Sequence, residues 1–284
     1  MEIKAIDVKA LREKTGAGMM DCKNALVQAN GDFAKAEKIL KELGLAAAKK
    51  RAGRVTKEGR VFSRIQDGKG VLLELTCETD FVAKNKEFLT LGETLTESAI
   101  AKGPGAKPED FSAQVQEAVG KIKENIALRR LQVMESNANE MILDYIHGEG
   151  KIGVMVKFAL SDPSLKDNPR VKEVAFDLTL HTAAFAPLFL ERNEVAQSYL
   201  KEQQEIFTKQ AEKLGKPENV VKGIVQGKMN KHLAEICFVD QPFLLACWVP
   251  RKGHCVIIHS PREIVCTNRD GWISATAATS LISL

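Results

Sequence analysis

The sequence predicts an α+β fold: a small three-helix domain, a core of two related antiparallel-sheet-plus-helix subdomains, and a helical hairpin projecting from that core. Three observations predict it. Apolar residues recur at helical spacing up to residue 44, a hairpin-then-helix pattern occurs twice, and a polar stretch of helical period is broken once by Gly215-Lys216-Pro217.

Within residues 1–44, Val8 and Leu11, then Cys22, Ala25 and Leu26, then Phe33, Ala36, Ile39, Leu40 and Leu43 mark three short helices. Thr15-Gly16-Ala17-Gly18 separates the first two, and Asn30-Gly31-Asp32 ends the second and offers Asp32 as N-cap of the third. Gly44 is the expected stop of that helix. So small a bundle buries little apolar area and suits recognition better than the enclosure of chemistry. Residues 46–60 carry Lys49, Lys50, Arg51, Arg54, Lys57 and Arg60 among alanines and glycines, which reads as a helical tail entering an exposed linker. Without aromatics to stack on bases, a solvated linker is favoured over an RNA-binding patch. The first domain is drawn over residues 1–54.

Val61-Phe62-Ser63-Arg64-Ile65, a turn at Asp67-Gly68-Lys69-Gly70 and Val71-Leu72-Leu73-Glu74-Leu75 make the first β-hairpin signal, followed by helical spacing at Phe81, Phe88, Leu91 and Leu95. Residues 111–127 look helical, and 130–135 offer a third strand to this sheet, giving a subdomain over residues 55–140. Met141-Ile142-Leu143-Asp144-Tyr145-Ile146, a turn at Gly148-Glu149-Gly150 and Ile152-Gly153-Val154-Met155-Val156 repeat the hairpin, with helical spacing from Val171 to Leu178. This second subdomain spans 141–245 and includes the helical hairpin at about 193–234, an arm suited to assembly. Residues 246–284 form an atypical tail in which no periodicity links Cys247, His254, Cys255, His259 and Cys266. No C-x2-C unit is present there, so no metal site is assigned.

The chain has 284 residues, 27% of them charged and 44% hydrophobic, with net charge +4, which excludes disordered and fibrous classes. The charge is too mild for a dedicated nucleic-acid binder, and no apolar run is long enough for a bilayer. With no signal-peptide pattern and scattered cysteines, a cytoplasmic protein with free thiols is expected.

Catalytic signatures are missing: there is no G-x-x-x-x-G-K-[ST], H-E-x-x-H or G-x-S-x-G, and His147 and His181 read as interface or packing residues. No bond-making enzyme and no cofactor are expected. The informative stretch is Glu78-Thr79-Asp80-Phe81-Val82-Ala83-Lys84-Asn85, where a carboxylate stands beside an aromatic ring as a β-run gives way to a helix. Read from the residues alone, Thr79 and Asp80 can be an N-cap pair with Phe81 the first core residue, or an exposed device for prying a partner open.

Several motifs in order resemble translation elongation factor Ts of the bacterial and organellar type. They are Leu11-Arg12-Glu13-Lys14-Thr15-Gly16-Ala17-Gly18-Met19-Met20-Asp21-Cys22-Lys23 with Asn30-Gly31-Asp32, then Thr79-Asp80-Phe81-Val82-Ala83-Lys84-Asn85, Glu124-Asn125-Ile126 with Arg129-Arg130, His147-Gly148 leading to Ile152-Gly153-Val154, and Gln241-Pro242-Phe243. The resemblance covers about residues 1–245. It implies a ubiquitin-associated-like first domain and, in some members, dimerisation through a coiled-coil hairpin. It implies guanine-nucleotide exchange on GDP-bound elongation factor Tu during protein biosynthesis, with no direct nucleic-acid or membrane partner. Thr79, Asp80, Phe81 and Val82 are then the partner-binding residues that dislocate Mg²⁺ in the GTPase. Met19, Met20 and Lys23 are further partner contacts, although the two methionines also fit as core fillers. Asn125, Ile126 and His147 lie near the partner or support the wedge. The tail departs from the family, whose further sheet segment and closing amphipathic helix are not recognisable in it. A competing reading is a binding adaptor that uses the three-helix module and the arm without nucleotide exchange.

Overall fold

The computed structural model describes residues 3–242 and, beyond them, the backbone of four strands at 255–258, 264–268, 271–275 and 278–283. Three helices come first: α1 (Ala5–Thr15), α2 (Met19–Gln28) and α3 (Phe33–Arg51). Their own small core holds Val8, Leu11, Cys22, Ala25, Leu26, Ala36 and Leu40. Asp32 caps α3 by accepting from the Lys35 amide. The helix does not stop at Gly44 as its sequence suggests. It runs on to Arg51 because Gly44 sits where α3 crosses α6 (Ser112–Ile122): a Cβ at Gly120 would lie 3.1 Å from the Gly44 Cα. Bare backbone permits that approach. Lys49, Lys50 and Arg51 end the helix where its dipole favours positive charge.

Strands β1 (Glu58–Gln66), β2 (Lys69–Cys77) and β3 (Ile126–Glu135) form an antiparallel sheet in that order. Only Asp67 and Gly68 make the first turn, both with positive φ, while Lys69 and Gly70, expected in the turn, open β2. The sequence spacing at Phe81, Phe88, Leu91 and Leu95 suggests one helix, yet there are two: α4 (Asp80–Ala83) and α5 (Lys86–Lys102). Asn85 separates them by capping α5, its side chain accepting from the Glu87 amide. Helices α5 and α6 cover one face of the sheet, burying Val71, Leu73, Leu75, Phe88, Leu95, Val115 and Val119.

Strands β4 (Glu140–His147) and β5 (Ile152–Ala159) start a second antiparallel sheet under α7 (Pro169–Phe185). Met141, Val154, Val156, Phe158, Val171 and Leu178 fill its core with Phe238. The two sheets meet through Val61, Leu72, Ile142 and Met155, so β2 is covered on both faces, which accounts for its unbroken apolar run. Helices α8 (Gln197–Glu212) and α9 (Glu218–Ile236) form the hairpin around Ala211, Val221 and Val225.

The tail, unrecognised as sheet in the sequence, has strands β6 (Cys255–Ile258), β7 (Ile264–Asn268), β8 (Gly271–Ala275) and β9 (Ala278–Ser283). The first three make a separate antiparallel sheet and β9 completes the second sheet beside β5. Short β-branched runs such as Val256-Ile257-Ile258 carry the signal, but each is too brief to show a period. The tail's Cys and His side chains lie outside the described residues. Among the described residues no helix is long and apolar enough to cross a membrane.

Candidate functional site

The loop leaving β2 holds the residues of interest, and its backbone conformation is set by side chains from three other segments. Thr79 is extended and caps α4, its hydroxyl accepting from the Val82 amide at 3.4 Å. The Glu124 carboxylate accepts from the Glu78 amide at 3.1 Å, the Thr79 amide at 3.0 Å and the Thr79 hydroxyl at 2.7 Å. Glu78 in turn accepts from the Asn125 amide at 2.6 Å and pairs with Arg54 at 3.4 Å, while Asn125 Nδ2 donates to the Arg54 carbonyl at 2.7 Å. At the far end of α4, Arg60 Nε donates to the Ala83 carbonyl at 2.8 Å. Arg54 and Arg60, read as parts of a solvated basic linker, thus serve to hold this loop.

A four-residue helix is too short to persist by itself, because nucleation is unfavourable and few bonds follow it. Here Ala83 is buried and Val82 packs on the first core, so α4 is seated on the sheet and turns Phe81 outward. Phe81 is 82% exposed, which excludes its reading as a first core residue. Asp80 is also exposed and lies 3.7 Å from Lys84 one turn on. Thr79 does cap the helix, so the cap reading holds for it and fails for the ring. Cys77 beneath the loop donates to the Thr79 carbonyl at 3.2 Å, and burial, with the nearby Glu124 charge, pushes its thiol up to about 12. It stays protonated and is no nucleophile.

The turn after α6 gathers the other segments. Lys123 has φ +68, and its ammonium lies 2.7 Å from Asp21 at the start of α2. Residues 123, 124 and 125 therefore tie α2, the loop after β2 and the segment just after α3 to one point. Met19 (44% exposed) and Met20 (65%) are not core fillers, and Lys23 beside them is exposed. Asn125 and Ile126 are buried under the loop. His147 is exposed at the end of β4, bonded to Tyr145 at 2.9 Å, and the turn that follows it reaches the loop through Arg60, which pairs with Glu149 at 3.4 Å. His181 is buried, 3.0 Å from Gln241 and stacked on Phe185 at 4.6 Å.

Glu124 stands in a sequence motif with no role expected of it, and Arg60 is expected in a linker. The helix expected over residues 111–127 ends at Ile122, which frees Glu124 from its axis, and β1 opens at Glu58, three residues ahead of the run expected from Val61, which takes Arg60 into the sheet. Arg129 and Arg130, motif residues with no role expected from the sequence, pair with Glu74, which is fully buried in β2. Among the described residues no group of three His, Cys, Asp or Glu side chains is arranged to hold a metal ion.

The family model described as Elongation factor TS matches residues 78–246, beginning at the first residue of this loop. The chain belongs to the elongation factor Ts family. It is similar to elongation factor Ts of Treponema denticola, with 46% identity over 244 residues, 86% of this chain and 87% of the relative. Elongation factor Ts of Borrelia recurrentis is 45% identical over 245 residues, 86% of this chain and 88% of its own. For that of Borreliella burgdorferi the identity is 46% over 239 residues, 84% and 86% of the two chains. Membership places the chain among factors of translation elongation in protein biosynthesis.

Proposed function

We propose that the chain is a guanine-nucleotide exchange factor for elongation factor Tu, and that the residue 79–82 segment is the wedge that releases GDP. The observation that carries this reading is Phe81: a large ring, 82% exposed, on a helix seated against a sheet and pinned at both ends. Burying an exposed ring in a partner removes its apolar area from water, and a rigidly held ring can enter a pocket without losing much conformational freedom.

An exchange factor makes no bond. It binds the empty GTPase more tightly than the loaded one, and by linkage nucleotide affinity falls by the same factor, typically about 1–3 kcal/mol or more. Phe81 inserts between elements of the GTP-binding domain, an anchor contributing on the order of 2 kcal/mol. Asp80 next to it disturbs the coordination of the GTPase's Mg²⁺, whose octahedral shell near ~2.1 Å tolerates little displacement. With that cation lost, phosphate charge is poorly neutralised and GDP leaves. Met19, Met20 and Lys23 make a second contact with the same partner. The work is cytoplasmic, alongside translation.

The test is release of fluorescent GDP from elongation factor Tu. Phe81→Ala is expected to keep the melting temperature and slow release by roughly 30-fold, the equivalent of about 2 kcal/mol. Wild-type release from that variant would sink the assignment. The arm carries Ile206, Leu214 and Val220 exposed, and in this reading it joins two copies of the chain. Sedimentation of the full chain as a dimer, reduced to monomer by Leu214→Asp, is expected; a wild-type monomer at all concentrations overturns that part.

A further inference from the structure

Helix α4 spans only Asp80–Ala83, yet each of its ends is fastened by a charged side chain from elsewhere in the fold. Glu124 takes three donors just before the helix, and Arg60 donates from β1 to the Ala83 carbonyl just at its close. The Arg60 side chain is mostly buried, 19% exposed, and its other arm reaches Glu149 at 3.4 Å, in the turn between β4 and β5. That turn is itself joined to β1 by the Val61 amide donating to the Gly150 carbonyl at 2.8 Å. One guanidinium therefore spans the wedge helix and the second sheet. Its Nε bond is to a carbonyl at a helix C-terminus, where positive charge is favoured.

We infer that Arg60 and Glu124 are positioning residues for exchange: they fix α4 so that Asp80 and Phe81 stand preformed, and Arg60 makes that position depend on the second sheet. This rests on the exchange-factor reading and adds to it which residues outside the wedge set its power. A loosened α4 still docks through the other surfaces, but the ring no longer arrives in one place. Misplacement of an acting group by about 1 Å can lower a rate by up to ~100-fold without a change in the group itself.

The experiment uses full-length chain carrying Arg60→Met, Arg60→Lys, Glu124→Ala or Phe81→Ala, with elongation factor Tu loaded with fluorescent GDP. Concentrations are set by titration of binding-competent protein. For Arg60→Met and Glu124→Ala, release at saturating factor is expected to be about tenfold slower, with the half-saturating concentration changed less than threefold. Arg60→Lys, which keeps a donor for Ala83, should recover part of the rate. Hydrogen exchange on the free chain should quicken at the amides of Ala83, Lys84 and Asn85 and stay unchanged along β2. Slow release by Phe81→Ala with wild-type release by Arg60→Met and Glu124→Ala overturns the inference alone. Wild-type release by all of them overturns the wedge reading and the inference together. Equal quickening of exchange at α4 and β2 would reduce both residues to general stabilisers and also overturns it.

Discussion

At the scale of single residues, Phe81 and His181 differ most in burial. Both are aromatic, but Phe81 stands 82% exposed while His181 is 2% exposed, bonded to Gln241 and stacked on Phe185. Gln241 also donates to the Glu235 carbonyl at 2.6 Å, so this glutamine of the Gln241-Pro242-Phe243 motif joins α7 to the end of α9, a structural duty. Burial holds the His181 pKa below its usual 6.5. A histidine lowered in the folded state leaves the unfolded chain to take the proton first, so stability is retained above about 6.5 and falls as pH drops below it. Urea midpoints measured from pH 7.5 to 5.5 should decline less steeply in His181→Gln than in the parent; parallel slopes would exclude this histidine as a source. On the exchange reading, Lys23→Ala is expected to weaken association with elongation factor Tu about three- to tenfold while sparing release at saturation, since exposed charge acts mostly on encounter. Equal loss in both measurements would place Lys23 in the release step.

At the scale of elements, two glycines explain a helix that outlasts its expected stop. Gly44 and Gly120 let α3 and α6 touch backbone to backbone, and that contact brings Arg54, just past the end of α3, to the turn that carries Glu124 and Asn125. Gly120→Val forces the helices apart and should destabilise the chain by about 1–3 kcal/mol in urea unfolding, the usual range for overpacking. No change in midpoint would mean that the crossing is loose. The same substitution should also slow GDP release if the α6–β3 turn positions the wedge. The break between α4 and α5 belongs to this scale too. Asn85 caps α5 and frees the preceding turn from its axis, so Phe81 leaves the stripe that buries Phe88 and Leu95.

At the scale of the whole molecule, the two sheets share one interface, and β2 is covered by helices on one side and by the second sheet on the other. Gly153 permits that contact: a Cβ there would lie 2.3 Å from Val61 Cγ1 and 3.0 Å from Leu72 Cδ1. Gly153→Val is therefore expected to separate the sheets, lower stability by about 1–3 kcal/mol and split a single thermal transition into two. One transition at the parental temperature would show that the sheets tolerate the volume. By itself the sequence determined the α+β class, the two hairpins, the Asp32 cap, the helical arm and the segment that bears the ring, because all of these rest on local periodicity, turn chemistry and short motifs. The outward direction of Phe81, the continuation of α3 through Gly44, the strands of the tail and the fastening of α4 by Arg60 and Glu124 were decided only by tertiary structure. Arg60 and Ala83 are 23 positions apart, and Glu124 and Thr79 are 45 apart. Which distant groups meet depends on how the sheets and helices pack, and no spacing along the chain encodes that meeting.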